Sequence, residues 1–114
     1  MKVTFLYFED CPSHEMTLER LHQAMAEEGV QAGVDIIKVE TEEQAQRLRF
    51  FGSPTIRIDG HDIDPPPDDV YYALTCRAYR LEDGRISPLP PLAMICRALR
   101  ATKERHNTQS KEEN

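Results

Sequence analysis

The sequence predicts an α/β fold, a central mixed β-sheet flanked by helices and carried by a single domain, and three observations lead there. A nearly all-apolar segment, Lys2 to Phe8, is followed by a helical segment and then by a second apolar segment, Gly33 to Val39, the order of a right-handed parallel βαβ unit. Farther on, Ile56 and Ile58 alternate with Arg57 ahead of Asp59-Gly60, a strong hairpin signal. The length of 114 residues lies near the usual size of one domain, large enough to bury a core without disulfide staples.

Each element has its own local reason. Lys2 to Phe8 is rich in β-branched and aromatic residues on both alternating faces, as a central strand requires. Pro12 opens a helix expected to run to about Glu28, because a missing N–H costs nothing in the first turn; Leu18, Leu21 and Met25 form its apolar stripe and Gly29 stops it. A short second helix is expected from Glu42 to about Phe50, before Gly52. Ser53 to Gly60 then gives a strand and turn, with His61 to Asp64 returning antiparallel. Pro65, Pro66 and Pro67 form a stiff exposed connection. Alternation over Val70 to Tyr79 predicts another strand, with Tyr72, Leu74, Cys76 and Ala78 on its apolar face. After Pro91, Leu92, Ile95, Cys96 and Leu99 repeat at helical spacing. These elements define a domain over residues 2–102. Residues 103–114 contain no apolar side chain and are expected to form a disordered polar tail.

Composition narrows the function. The formal charge of −6 argues against nucleic acid as a partner, since phosphate binding rests on surplus Lys and Arg. It also disfavours anionic membrane surfaces. No apolar run approaches the roughly 20 residues that cross a bilayer. Met1-Lys2 leads directly into the first strand without a signal-peptide pattern, so the cytoplasm is the expected compartment. Scattered glycines and the absence of a Gly-x-Ser-x-Gly elbow leave nucleotide enzymes and serine hydrolases without support, and no cofactor is expected. His61, Asp62, Asp64, Asp68 and Asp69 read as solvated surface, without the spacing of a calcium loop.

Three cysteines cannot all pair within one chain, so a free thiol has to be explained. Cys11 is the most informative. It lies between a central strand and a helix N-terminus, where the helix dipole and free N–H groups favour the thiolate. His14, three residues on, is placed to stabilise that thiolate, whereas Glu9 and Asp10 oppose it. Cys96 fits the apolar stripe of the last helix and reads as core.

Strand-Cys11-Pro12-Ser13-His14-helix, followed by Ser53-Pro54-Thr55 before a hairpin, resembles the thioredoxin-like superfamily, and the order of elements extends the resemblance over most of residues 2–102. The resemblance implies a cis Ser53-Pro54 bond lying against the Cys11 sulfur, and a substrate-binding role for Ser53, Pro54 and Thr55. His14 stands where the family's dithiol form has its second cysteine, so a disulfide within the motif is impossible. Cys76 is the candidate resolving or second thiol. The pairing of Cys11 with Thr75-Cys76-Arg77 is also similar to the alkylmercury (organomercurial) lyase family, which grips mercury between two distant cysteines. On that resemblance Cys11 and Cys76 are metal ligands, with His14 or Asp10 as proton donor.

Three functions therefore stand as expectations. The first is a cytoplasmic thioredoxin-like oxidoreductase using Cys11 and His14 for thiol–disulfide exchange or reversible thiol binding, with protein or low-molecular-weight thiols as partners. The second is binding of mercury or another soft metal, or alkylmercury cleavage, by Cys11 and Cys76. The third is a binding module without catalysis. Proximity of Cys76 to Cys11 discriminates among them.

Overall fold

The computed structural model describes the backbone of residues 1–113 and the side chains of residues 1–106. Strand β1 (Val3–Tyr7) is central. It pairs in parallel with β2 (Val34–Lys38) and antiparallel with β3 (Thr55–Ile58), so that Phe5 lies between Ile36 and Ile56. β4 (His61–Asp62) continues the sheet antiparallel to β3, giving the order β2-β1-β3-β4. The connecting turn uses Asp59 at φ 53° and Gly60 at φ 82°, the left-handed pair that a two-residue hairpin needs.

Both faces of β1 are covered, which explains its near-continuous apolarity. Val3 and Phe5 pack with Ile56 and Ile58 against Leu21, Ala24 and Met25 of α1 (His14–Glu27) and Ile95 and Leu99 of α3 (Leu92–Glu113). Leu6, on the opposite face, packs with Val39, Phe50 and Ala45 of α2 (Glu42–Arg47). Thr41 caps α2 by accepting the Gln44 N–H at 3.0 Å. Among the described residues, no helix is long and apolar enough to cross a membrane.

Three expectations are corrected. α1 begins at His14, not Pro12, because Ser13 is the cap residue and its carbonyl accepts the Thr17 N–H; Cys11, Pro12 and Ser13 form a turn ahead of the helix. Residues 70–78 do not form a strand. The paired segment is only β5 (Tyr79–Arg80), which joins β6 (Ile86–Ser87) in a separate ribbon. Arg77 and Tyr79 are the buried residues here, and Cys76 and Ala78 are exposed, the reverse of what apolar alternation implies. A polar network around Arg77 overrides the hydrophobic pattern.

The third correction concerns the chain beyond Thr102. α3 continues to Glu113, where the sequence suggested a structureless tail. Polar contacts hold its continuation: Lys103 Nζ donates to the Glu28 carbonyl at 2.6 Å, and His106 Nε2 lies 2.7 Å from Asp59 Oδ2. Arg100 adds a two-pronged bond to Glu28 at 3.1 and 2.9 Å. Apolar periodicity is blind to such anchors. The last position of the expected tail, Asn114, lies outside the described residues.

Candidate dithiol site

The chain leaves β1 at Tyr7 and turns within four residues, Cys11 N–H donating to the Phe8 carbonyl at 3.0 Å. That turn places the Cys11 side chain ahead of α1, at the positive end of the helix, with the whole residue only 1% exposed. Its sulfur lies 3.6 Å from Ser13 Oγ, and as a thiol it donates to the Ser53 carbonyl at 3.4 Å.

Ser53 links the two cysteines. It is fully buried and forms an isolated parallel bridge with Cys76. Ser53 N–H donates to the Thr75 carbonyl at 2.8 Å, and the Arg77 N–H donates to the Ser53 carbonyl at 3.0 Å. The residue whose carbonyl takes the Cys11 thiol proton is thus the β-bridge partner of Cys76. Both cysteines are free thiols, and Cys76 lies close enough to influence the ionisation of Cys11.

Burial is the largest influence on Cys11 and works against its ionisation. Hydrogen bonds from the Cys76 thiol, the Ser13 backbone N–H, the Ser13 hydroxyl and the Ser53 hydroxyl act in the opposite sense and together outweigh it, so the Cys11 pKa falls below the ordinary thiol value. Cys76 moves the other way. The hydrogen bond it gives to Cys11 holds its proton in place, and burial and the adjacent negative sulfur add to the effect. Of the two thiols, Cys11 is therefore the one that ionises more readily.

Behind the thiols stands a rigid support. The Ser53-Pro54 peptide bond is cis. Tyr79 donates its phenol proton to the Pro54 carbonyl, and burial pushes the phenol pKa up. Thr55 Oγ1 donates to the Gly52 carbonyl at 2.6 Å and accepts from Arg77 Nη1 at 3.2 Å. The Arg77 guanidinium lies between the rings of Phe51 and Tyr79, 4.2 Å from each centroid. It bonds both Asp62 oxygens, at 2.9 and 3.2 Å, and the Asp64 carbonyl at 2.9 Å. Gly52 is required beside it: at φ +155°, an added Cβ would lie 2.5 Å from Arg77 Cβ and 2.9 Å from Arg77 N.

Of the residues the sequence singled out, Cys11, Ser53, Pro54, Thr55 and Cys76 come together. His14 lies at the start of α1 with its ring stacked on Tyr7, centroids 4.6 Å apart, and the groups that lower the Cys11 pKa are Cys76, Ser13 and Ser53. Cys96 is elsewhere, packed at the α1–α3 contact, its sulfur 3.8 Å from Glu27 Oε2; burial and the nearby Glu27 and Glu28 carboxylates raise its pKa. Asp62 is no solvated surface carboxylate, as its side chain is 9% exposed and paired with an Arg77 side chain that is 3% exposed. Sequence reasoning also missed Ser13, Gly52, Arg77 and Tyr79. Among them only Ser13 carried a local signal, its position at the start of a helix two residues after Cys11. Comparison with protein-family models, with characterised proteins and with solved structures finds no match to this chain.

Proposed function

We propose that the chain is a thioredoxin-like protein whose reaction is thiol–disulfide exchange at a non-local dithiol, Cys11 and Cys76, working in a reducing compartment such as the cytoplasm. The observation that carries this reading is the shared seat of both cysteines on Ser53, which is the β-bridge partner of Cys76 and whose carbonyl accepts from the Cys11 thiol. The β2-β1-β3-β4 order supports the fold assignment. In the reaction the pair gives two electrons to a substrate disulfide, releasing two thiols and forming the Cys11–Cys76 disulfide, which an external thiol reduces again. His14, stacked on Tyr7 at the start of α1, is assigned no step in this scheme.

Equilibration with mixtures of reduced and oxidised glutathione, followed by non-reducing peptide mapping, tests the proposal. The expected result is a Cys11–Cys76 linked peptide whose fraction follows the redox poise, together with Cys11 alkylation at a midpoint below about 8.5, the free-thiol reference. Absence of that link, with an ordinary alkylation profile for Cys11, would reduce the site to a binding module. A second reading, capture of mercury(II) or another soft cation, is favoured by two thiols seated on the same residue, Ser53, sulfur being the donor type that soft metals select. One equivalent of mercury(II) protecting both cysteines from alkylation is its expected signature.

A further inference from the structure

We infer that the dithiol serves low-molecular-weight disulfides, met first by Cys76, and that the chain's own segment Thr75–Arg77 closes the site to recognition of extended peptides. This rests on the dithiol reading above. The argument begins with the backbone around Cys11. A peptide recognised by strand addition needs unpaired N–H and C=O groups at the edge it joins. Ser53 has none to give: its N–H is held by Thr75, and its carbonyl accepts the Arg77 N–H. Its hydroxyl accepts the Phe8 N–H at 2.9 Å. Pro54 has no N–H, and its carbonyl is taken by Tyr79; the Thr55 hydroxyl is bonded to Gly52 and Arg77. The segment carrying the second thiol thus already occupies the pairing position next to the first.

Exposure then sets the order of events. Cys11 is 1% exposed, so a disulfide lodged on a polypeptide surface cannot line up with its sulfur, whereas Cys76 is open to solvent. When Cys11 is ionised, its thiolate takes the Cys76 proton as the Cys76 sulfur attacks a small disulfide RS–SR. A Cys76–SR bond forms, the S–S bond breaks, and the departing RS⁻ takes the proton from Cys11. The Cys11 thiolate next attacks the Cys76 sulfur, forming the Cys11–Cys76 disulfide and expelling the second RS⁻, which is protonated from solvent. Two electrons pass from the pair to the substrate, and two RSH leave. The buried thiolate acts first as base and then as resolving nucleophile.

The test compares cystamine with an extended peptide whose central cysteine carries a cysteamine cap, following oxidation of the wild-type pair by mass spectrometry. Cystamine is expected to oxidise the pair at least as fast as the peptide. In Cys76→Ser the rate of cap transfer from cystamine is expected to fall by about tenfold or more, since only the buried sulfur is left to react. Cys11→Ser is expected to retain a stable cap on Cys76. Cys76→Ser, at an exposed position, decides the question even where Cys11→Ser does not fold. A peptide rate roughly tenfold above that of cystamine, or a Cys76→Ser protein that acquires the cap on Cys11 at the wild-type rate, would overturn the inference and leave the dithiol reading standing. If neither disulfide yields a Cys11–Cys76 link in the wild type, both fall together.

Discussion

Replacing Arg77 by methionine keeps much of the side-chain length and removes the charge. In the folded protein the guanidinium is 3% exposed, bonds both oxygens of Asp62 and also reaches Thr55 and Asp64. Its loss leaves a carboxylate that is 9% exposed with the Asp64 N–H, at 2.8 Å, as its remaining hydrogen bond. Breaking a buried ion pair from one side costs about 3–5 kcal/mol, because the stranded charge stays desolvated. For a domain of this size about 1 kcal/mol corresponds to roughly 4 °C, so the melting temperature is expected to fall by roughly 12–20 °C. Thermal and urea denaturation followed by circular dichroism would measure the loss. The double variant Arg77→Met with Asp62→Leu should recover most of it, since the buried carboxylate is removed together with its ion-pair partner. A loss below about 1 kcal/mol, the range of exposed ion pairs, would refute the view that Arg77 is the structural anchor of this region. The same variant loosens the Ser53–Cys76 bridge, and the alkylation midpoint of Cys11 is expected to rise with it.

Cys76→Ala removes the hydrogen bond given to Cys11 and should raise the Cys11 pKa, read from thiolate ultraviolet absorbance against pH; an unchanged titration would show that the pair does not share a proton. Gly52→Ala introduces a Cβ 2.5 Å from Arg77 Cβ, and overpacking against backbone is expected to cost roughly 1–3 kcal/mol in urea unfolding. The Asp59 carboxyl is held below its ordinary value first by the Lys2 N–H, against opposition from burial, and further by His106. A carboxyl depressed in the folded state contributes stability above its unfolded pKa and loses it as pH falls through the folded value. His106→Ala should therefore raise the Asp59 pKa by NMR titration and shrink the stability lost on acidification below about pH 4, the usual carboxylate range. An unmoved Asp59 titration would mean that the His106 contact does not anchor α3 to the β3–β4 turn.

What could be read from the sequence was what local chemistry controls. β1 and β2 were legible because burial on both faces leaves a continuous apolar run, and the β3–β4 hairpin because Asp59-Gly60 carries its own backbone preference. Cys11 was legible because a thiol at a helix start has a physical consequence in any fold. Cys76 was identified, but on a strand face it does not occupy. Its position follows from Arg77, whose partner Asp62 is 15 residues away and is unremarked by any periodicity. The continuation of α3 was hidden for the same reason, since Lys103 and His106 find polar partners 75 and 47 residues distant. Polar contacts between remote residues leave no repeat to detect.

On the proposed dithiol reading, the seating of Cys76 against Cys11 would tie the redox state of this protein to its lifetime. The two sulfurs belong to residues 65 positions apart, so a bond between them would close more than half of the chain into a loop. In the chain-entropy account, a loop of that length lowers the freedom of the unfolded ensemble by roughly 4 kcal/mol. The reduced and oxidised forms would then differ in their populations of open states by about three orders of magnitude. A proteolytic machine that samples such openings would remove reduced copies and spare oxidised ones. A chemical event at two atoms would thereby be converted into a difference in abundance.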